Sequence, residues 1–577
     1  MPVLLHKILF FILSLLISQV VKGQMSSSEE PTSLPLEEIT FITDRDIYLS
    51  GEKIWFSASC EIDGKPEQTM SRILYVELYN YSHKSVVKNK YRLQKGRANG
   101  VLDIPSEFLS GNYFLRAYTQ YLKNFPSEIY FTKLITIINP LLPLPAQTKD
   151  TQSKIDSLAE GDNDRVIVRS DLVPASQKKI ELKTNKEIYE PRELVTLEIL
   201  NVDGSMDLTV SVVKKGTLFE EDKILTQLPD IISPQSTKSK WLPEIRDVSI
   251  SGIVIDKQTG LPQTGIPVYL SVGKENPQIH IYRSGEKGEF IFSLNNFERF
   301  QEVFLCPLSE ADDELEIKIV SDFLPDFPEL NEVTFSIDSS QMMFLEQMHI
   351  NMQASKAFNT EPGHNPLQYS HLPFPFANPP ISVVLDDYIE TPTMEMVFRE
   401  LVPRVRVRKK HGIYRLSVFD FDNSLNYTEP LILIDNIPVF EVNELLKIQP
   451  AYVEKIEVHN SPLILGDNII LGTIMITTTT TNFGGMIMPE TSTFLKYRTL
   501  TSSYQFDPPE YNTKEKKQDT KADFRNTLYW DPSLRIKSNT SISFYTSDHL
   551  SEYEVIVRGK TARGKQVLGR TGFRVVK

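Results

Sequence analysis

The chain repeats one ten-residue pattern, and this repeat constrains the fold more than any other feature. Residues 43–52 (TDRDIYLSGE) are matched 141 positions later by residues 184–193 (TNKEIYEPRE). Each copy predicts a strand and a turn that carries Gly or Pro, and an apolar strand then follows at 54–58 or at 194–200. Short strands at this spacing are typical of a β-sandwich, so the repeat predicts two related sandwiches in series.

The composition favours strands over long helices. The 577 residues include 36 prolines, and 40% of the residues are apolar, which is enough for several folded cores. At about 150 residues per domain, this length corresponds to about four domains. The net charge of −13 leaves no basic footprint for DNA or RNA, so we expect no nucleic-acid partner.

The first 23 residues have the pattern of a secretory signal peptide. His6 and Lys7 precede a mostly apolar run over residues 8–21, which is short for a membrane span. An N-terminal membrane anchor is the alternative. No cysteine directly follows the run, which argues against a lipoprotein, and no later segment approaches the ~18 consecutive apolar residues of a spanning helix. We therefore expect an exported chain whose mature part has no transmembrane span.

The first copy of the repeat lies within a longer pattern. It is followed by a strand with Trp55, by residues 96–105 (GRANGVLDIP) and by residues 110–118 (SGNYFLRAY). This pattern resembles a macroglobulin domain of the MG2 type, which implies a β-sandwich over residues 36–139. Macroglobulins that trap proteases covalently carry a Cys-x-Glu-Gln thioester. Residues 60–63 read Cys-Glu-Ile-Asp, so the resemblance does not extend to that chemistry.

The chain has two cysteines, Cys60 and Cys306, which we expect in different domains. Two cysteines exclude a small scaffold held together by several disulfides. A bridge between them in an oxidising compartment is one interpretation. The favoured interpretation is two separate buried thiols that act as small apolar side chains.

Four further regions are assigned from periodicity and composition. The second copy of the repeat predicts a macroglobulin-like β segment over residues 180–219. Linkers are predicted before it, over residues 140–179, and after it, over residues 220–247, because Pro and short polar residues are frequent there and periodicity fades. Residues 520–577 contain three alternating strands and predict a separate C-terminal β domain.

After the second linker, the order changes to strand, glycine turn, strand and Gly-x-Phe strand. Residues 250–256 (ISGIVID) lead through a turn to residues 266–270 (IPVYL) and later to residues 284–292 (SGEKGEFIF). This order is similar to that of the carboxypeptidase regulatory-like domain. The resemblance implies a transthyretin-like sandwich over residues 248–337 and implies no peptidase activity.

Residues 338–380 predict a helix followed by a stiff connector. Apolar residues three or four positions apart predict a helix over residues 338–358. The stripe consists of Met342, Leu345, Met348 and Met352. We expect it to pack in a core or between domains rather than to form a ligand groove. Residues 362–380 carry six prolines and are predicted to be extended.

One more pattern comprises residues 430–439 (PLILIDNIPV), 445–450 (LLKIQP), 453–458 (VEKIEV) and 472–477 (GTIMIT). It looks like the plug domain of TonB-dependent outer-membrane receptors: a strand, a tight turn at Asp435-Asn436, a short helix and a second strand. The resemblance implies a small α+β domain over residues 381–485. Such a receptor also needs a barrel of about 22 strands, and the residues after the pattern are too few to build one. The plug fold is therefore used alone, or it meets the barrel of another chain.

Motifs for catalysis or metal binding are weak. His549-x-x-Glu552 has the spacing of metallocarboxypeptidase zinc ligands, but no histidine follows to supply a third ligand. An acidic cluster matches no EF-hand spacing, and a solvated loop is favoured over a calcium site. The cluster consists of Glu310, Asp312, Asp313, Glu314 and Glu316. Nucleophile and phosphate-loop motifs are missing, so we expect no cofactor, no metal and no enzymatic activity.

One predicted strand carries cations at alternate positions. Arg404, Arg406, Arg408 and Lys410 alternate with Val405 and Val407. A strand would therefore place four positive charges on one face. A solvated sheet face is the simpler interpretation. The functional interpretation is a docking face for an acidic partner or a lipid head group, and these four cations are the candidate site.

Together, these patterns predict a mainly β fold: tandem β-sandwich domains of macroglobulin and transthyretin type plus a small α+β plug-like domain. The combination resembles chains of Gram-negative bacteria. We expect a non-catalytic scaffold of the periplasm or outer membrane that binds envelope proteins, with a barrel receptor and a transport or assembly complex as candidate partners. The alternatives are a protease inhibitor of macroglobulin type without a thioester, with residues 148–164 as its bait segment, and an envelope hydrolase.

Overall fold

The computed structural model is mainly β, as the sequence predicts. It describes residues 35–81, 85–142, 178–219, 240–273, 277–308, 314–325, 339–358, 376–421, 423–466, 468–488, 490–502 and 504–577. The predicted signal peptide (1–23), the bait segment (148–164) and most of the Pro-rich connector (362–380) lie outside the described residues. No helix among the described residues is long and apolar enough to cross a membrane.

The strands are numbered in chain order. The first group is β1 (Glu38–Thr43), β2 (Ile47–Leu49), β3 (Lys53–Glu61), β4 (Ile73–Tyr79), β5 (Ser85–Arg92), β6 (Arg97–Asp103), β7 (Gly111–Tyr118) and β8 (Phe131–Ile138). The second is β9 (Lys178–Lys179), β10 (Glu181–Thr184), β11 (Ile188–Tyr189), β12 (Leu194–Leu200) and β13 (Met206–Lys214). The third is β14 (Ser249–Asp256), β15 (Pro267–Val272), β16 (Gln278–Arg283), β17 (Glu289–Ser293), β18 (Phe300–Pro307) and β19 (Leu315–Ile319).

The remaining strands follow the long helix. They are β20 (Ile381–Val384), β21 (Val405–Lys410), β22 (Ile413–Asp420), β23 (Leu425–Tyr427), β24 (Leu431–Ile434), β25 (Ile437–Pro438), β26 (Val453–Leu465) and β27 (Asn468–Thr478), then β28 (Thr493–Arg498), β29 (Thr527–Ile536), β30 (Thr540–Tyr545), β31 (Glu552–Thr561) and β32 (Gln566–Val575). The α-helices are α1 (Ser339–Phe358), α2 (Met394–Met396), α3 (Val442–Leu445) and α4 (Lys514–Lys517).

The first two sandwiches have the same strand order. In the first, β1-β3-β6 faces β2-β8-β7-β4-β5. In the second, β10-β12-β30 faces β11-β32-β31-β13-β29, with β9 beside β32. The second sandwich therefore combines the segment predicted at 180–219 with the one predicted at 520–577. The prediction of two separate domains is wrong, because β13 pairs with β29 on one side and β31 on the other.

The repeated pattern is a turn that the two sandwiches share. In the first copy, the Tyr48 hydroxyl donates a hydrogen bond to Asp44 Oδ1 at 2.8 Å. In the second copy, Tyr189 donates to Asn185 Oδ1 at 2.7 Å. In both copies, the same side-chain oxygen also accepts a backbone N–H from the strand that follows. A short polar side chain thus replaces backbone partners in the turn, as Asp and Asn commonly do.

The third sandwich is also completed from a distant part of the chain. Its sheets are β17-β14-β19 and β16-β15-β18-β28. The predicted limits, 248–337, therefore omit β28, which pairs with β18 from Phe300↔Arg498 to Leu305↔Thr493. In sequence, the predicted plug-like module lies between β19 and β28 of the third sandwich. The third sandwich and this module together are inserted between β13 and β29 of the second sandwich. This nesting is a correction to the predicted linear order of domains.

The module predicted over 381–485 contains two sheets, β20-β26-β27-β24-β25 and β21-β22-β23, around one hydrophobic core. Asp435 and Asn436 have φ values of 46° and 64°, which the tight turn after β24 requires. The Asp435 carboxylate accepts hydrogen bonds from the N–H and hydroxyl of Thr478 at 2.8 and 2.6 Å. The predicted order of strand, turn, short helix and strand is confirmed, whereas the plug-domain resemblance stays a prediction.

Helix α1 begins within one residue of its predicted start, and its apolar stripe packs against the first sandwich. Leu345 and Met348 are buried and contact Leu49 and Ile138. For Leu345, Met348 and Met352 the stripe is therefore core packing, as predicted, and the side chain of Met342 lies outside the described ones. Residues 240–247, the end of the second predicted linker, are packed as well: the buried Glu244 accepts the Tyr75 hydroxyl at 2.9 Å. That part of the linker prediction is wrong.

Buried contacts join the sandwiches to one another. One continuous hydrophobic core contains residues of the first and third sandwiches, among them Tyr75 and Tyr118 of the first and Val254 of the third. A smaller cluster joins Trp55 of the first sandwich to Trp530 of the second. Shared cores of this kind hold neighbouring domains in one fixed arrangement.

We expect Gly96→Ala to destabilise the first sandwich more than Gly64→Ala does. Both glycines have left-handed φ values, 72° and 73°, so each substitution incurs about 1–2 kcal/mol of backbone strain. A Cβ at Gly96 would also lie 2.2 Å from Pro66 O, whereas a Cβ at Gly64 meets nothing within 4 Å. Urea unfolding followed by tryptophan fluorescence measures both variants. Equal losses of stability would show that the close approach at Gly96 is absent.

Candidate functional site

The predicted cations lie on the hairpin of β21 and β22. The two strands pair antiparallel from Val405↔Val418 to Lys410↔Ile413. His411 and Gly412 connect them with φ values of 51° and 85°. Two successive residues with positive φ form the tight turn that matches the twist of a hairpin. Strand β23 adds a third strand beside β22.

Alternation along β21 separates a core face from an exposed face. Val405 and Val407 are buried in the hydrophobic core of the module. Arg406, Arg408 and Lys410 are exposed on the opposite side. The alternation predicted from the sequence is therefore confirmed for these residues, and the docking role assigned to their face stays a prediction.

Arg404 differs from the other three cations. It lies directly before β21, is half-buried, and has a φ of 66°. Its carbonyl accepts the Phe419 N–H at 2.8 Å, which extends the hairpin pairing by one residue. Few residues other than glycine, asparagine and aspartate adopt this conformation, and such strained residues cluster at binding sites.

The structure adds a fifth cation that the sequence analysis missed. Arg415 of β22 is exposed and lies directly opposite Arg408 in the hairpin register. Side chains of directly paired residues project from the same face of a sheet, and like charges in this position destabilise the pairing. The missed signal was the two-residue turn at His411-Gly412, since that turn sets the register. We refer to Arg404, Arg406, Arg408, Lys410 and Arg415 as the arginine face.

Two phenylalanines extend the arginine face. The guanidinium of Arg406 lies over the Phe419 ring at 4.6 Å, and that of Arg404 lies over the Phe421 ring at 5.4 Å. The two rings contact each other edge to face, with 4.6 Å between centroids. A cavity of about 300 Å³ opens here. Its lining includes Arg399, Val402, Arg404, Arg406, Phe419 and Phe421. The rings hold the guanidinium groups in place and leave their N–H edges free to donate.

The arginine face carries no ion pair among the described residues, whereas nearby cations are paired. Arg399 pairs with Glu395 at 2.9 Å, and Tyr414 donates to the same carboxylate at 2.7 Å. These hydrogen bonds lower the pKa of Glu395, so its charge compensates Arg399. Lys409, on the core side of β21, donates to the Tyr414 hydroxyl at 2.9 Å. The positive charge of the arginine face is therefore available to a partner.

The other sequence candidates do not form sites. His549 is buried, whereas Glu552 is exposed and pairs with Lys215 at 2.7 Å. In the described part of the chain, no three metal-ligating side chains come together. Most of the predicted acidic cluster lies outside the described residues, and its last member, Glu316, lies 3.8 Å from Lys318 Nζ.

We expect the burial of His549 to make stability depend on acid pH. Burial lowers its pKa to about 4, and the charge of Lys214 adds to this effect. Below a pH of about 6.5, the unfolded chain binds a proton at His549 that the native chain does not bind. The free energy of unfolding therefore falls as the pH drops from 6.5 to 4. Urea midpoints at pH 7 and pH 4.5 for the wild type and His549→Asn check this. The variant should lose less between the two pH values, and an equal loss would contradict the assignment.

The positions of the two cysteines agree with the favoured interpretation of two separate buried thiols. Both are buried and neither is in a disulfide; Cys60 lies in the first sandwich and Cys306 in β18 of the third. Burial raises the pKa of the Cys60 thiol well above its usual range, with further contributions from Glu37 and Glu61. The thiol lies 3.1 Å from the Thr69 hydroxyl. Cys60 is thus a protonated core residue.

Comparison with known proteins gives structural likeness at low identity. No protein-family model and no curated protein matches the chain. Among solved structures, alpha-2-macroglobulin from Salmonella reacted with methylamine matches at 9% identity and a TM-score of 0.22, over 94% of this chain and 40% of that one. The native conformation of Escherichia coli alpha-2-macroglobulin matches at 9% and 0.23, over 95% and 40%.

A third likeness covers less of the chain. Dimeric latent PorU from Porphyromonas gingivalis matches at 9% identity and a TM-score of 0.15, over 49% of this chain and 33% of that one. The chain thus spans about 40% of the length of the macroglobulin chains it matches. At these TM-scores the likeness carries no activity over to this chain.

Proposed function

We propose that the chain is a non-catalytic scaffold of the bacterial envelope that binds acidic protein partners through the arginine face. The observation that carries this proposal is a set of cations on one exposed sheet face without ion pairs among the described residues. Unpaired cations on a fixed surface attract acidic partners from a distance. Arginine also binds carboxylates in a bidentate manner at contact.

Two features of the arginine face destabilise the isolated chain, and this supports a role in binding. Arg408 opposite Arg415 is unfavourable in the isolated chain, and Arg404 adopts a strained backbone conformation. Carboxylates of a partner would offset the repulsion between the two arginines. A net charge of −13 for the whole chain makes this local concentration of positive charge more specific, because the rest of the surface repels acidic proteins.

The nested sandwiches suit a scaffold. The module that carries the arginine face shares a buried hydrophobic cluster with the third sandwich, which includes Tyr269 of that sandwich and Leu433 of the module. The third sandwich in turn shares a hydrophobic core with the first. A partner bound at the arginine face would therefore be held at a fixed position relative to the other domains. Export and a location in the periplasm or outer membrane belong to this proposal because of the signal pattern in residues 1–23. Docking with a barrel receptor of another chain stays a prediction.

Charge reversal tests the proposal. We expect the full-length chain to retain specific proteins from envelope extracts, and the double variant Arg406→Glu/Arg408→Glu to lose them. Binding to the wild type should also weaken between 50 and 300 mM salt, because screening shortens electrostatic attraction to about 10 Å at 0.1 M. Proteins identified by mass spectrometry should carry acidic surfaces or segments.

Lys179→Glu/Lys183→Glu is the matched control. These lysines are exposed on the second sandwich and carry no ion pair within the described ranges, so the net charge changes by the same amount elsewhere. The control should retain the same proteins as the wild type. If both variants lost the envelope proteins equally, overall charge and not the arginine face would explain the binding. If the wild type and both variants retained the same proteins, the arginine face would be refuted as a binding site.

A further inference from the structure

Strand β21 is an edge strand of its sheet. The order β21-β22-β23 leaves one side of β21 without a neighbouring strand among the described residues. The Phe419 N–H donates to the Arg404 carbonyl, so residues 404, 406, 408 and 410 direct their backbone groups towards β22. Val405, Val407 and Lys409 therefore direct their N–H and C=O groups to the free edge. The structure shows no backbone hydrogen bond from these groups to another described segment.

An exposed edge accepts an extended peptide as an additional strand. The ladder of backbone hydrogen bonds supplies affinity, and the side chains at alternate positions select the partner. On β21, the alternate exposed positions are all cationic: Arg406, Arg408 and Lys410, with the half-buried Arg404 directly before the strand. Their spacing of about 6.7 Å equals that of alternate side chains in the added strand.

We propose that β21 binds an extended acidic segment of a partner protein by strand addition, with carboxylates at every second position facing the arginine face. This inference rests on the proposed function and specifies how the partner binds. The partner's carboxylates pair with Arg406, Arg408 and Lys410, and its other side chains lie on the side of Val405 and Val407. Arg415 of β22 then lies behind this row of cations and adds attraction without a direct backbone contact.

The aromatic rings support an extended partner of this chemistry. Phe419 and Phe421 hold Arg404 and Arg406 at the start of β21, where the cavity of about 300 Å³ opens. A strand that runs along the edge passes this cavity, which can accept one larger side chain of the partner. The Arg408–Arg415 repulsion lies at the middle of the edge, where a carboxylate of the added strand would relieve it.

A synthetic peptide tests strand addition directly. The probe is an acetylated and amidated peptide of four Glu-Thr repeats, and its control has four Glu-Pro repeats. Both carry the same carboxylates, but proline has no N–H and cannot form the ladder. We expect the full-length chain to bind the Glu-Thr peptide at least about tenfold more tightly. Hydrogen exchange should show new protection at the amides of Val407 and Lys409.

Lys409→Pro and Lys409→Ala separate backbone from charge effects. Both remove the lysine side chain, but the proline also removes an N–H that points to the free edge and forms no bond within the hairpin. We expect Lys409→Pro to weaken Glu-Thr binding at least about tenfold relative to Lys409→Ala. Unchanged exchange in β26 and β27 shows that the module stays folded. If it unfolds, a Glu-Thr peptide with N-methylated threonines takes the place of the variant, and its binding to the wild type should weaken by a similar factor.

The outcomes distinguish the two proposals. Equal affinity for both peptides, or binding without protection at Val407 and Lys409, overturns strand addition but leaves the arginine face as an acidic docking surface. No binding of either peptide overturns strand addition as well, and the envelope experiment with Arg406→Glu/Arg408→Glu then decides the proposed function alone.

Discussion

Val555→Asp should unfold the second sandwich, including the part of it that lies more than 300 residues earlier in the chain. Val555 has no exposed surface, and its strand lies between β13 and β32. A carboxyl group at this position has no hydrogen-bond partner in an apolar core, so the expected loss is about 4 kcal/mol or more. Because β13 pairs with β31 along its whole length, residues 206–214 should lose their structure together with residues 552–575.

Hydrogen exchange resolved by peptide checks this coupling. Arg570→Asp is the control, because Arg570 is exposed on the neighbouring strand β32 and receives the same side chain. The control should keep protection in both segments. Loss of protection confined to residues 527–575, with β10 to β13 unaffected in Val555→Asp, would contradict the joined sandwich and favour two separate domains.

Glu77→Gln should destabilise the first sandwich by about 3–5 kcal/mol, the usual effect of leaving a buried charge without its partner. Arg116 and Glu77 are both fully buried, directly opposite each other on β7 and β4, and 2.8 Å apart. The Tyr118 hydroxyl donates to the same carboxylate oxygen at 2.6 Å. The amide of glutamine keeps the shape but removes the negative charge, so the guanidinium loses its compensating charge in a fully buried site.

Two comparisons make this prediction specific. Glu552→Gln breaks the exposed pair with Lys215 and should lower the free energy of unfolding much less than Glu77→Gln does, because solvent screens that pair. Glu77→Met/Arg116→Met replaces both charges with apolar groups and should recover most of the stability lost in Glu77→Gln. Urea unfolding measures all three variants. If Glu77→Gln lost no more stability than Glu552→Gln, the native fold would not depend on the negative charge of Glu77 beside Arg116.

Local patterns predicted much of the arginine face. The period of two along residues 404–410 placed the valines on one side and the cations on the other, because successive residues of a strand point to opposite faces. It did not predict Arg415, which joins the face through the register of the hairpin. The aromatic support from Phe419 and Phe421 was not predicted either, since their contact with the arginines depends on how the hairpin twists.

The sequence by itself determined the local structural features of this protein. The repeated turn with Tyr48 and Tyr189 forms the same hydrogen bonds in both sandwiches, because all of its partners lie within about ten residues of one another. Turns at left-handed residues, the alternation of strands and the apolar stripe of α1 have the same origin. Each depends on the conformational preferences of a few neighbouring residues, and these are readable from the chain.

Only the tertiary structure decided which strands share a sheet. β13 has β29 and β31 as neighbours, and β18 has β28, across long inserted segments. A strand pattern states which face is apolar but carries no information on which distant edge completes the ladder. That choice depends on the fit of whole apolar faces when the core closes, so the predicted linear series of domains became a nested one.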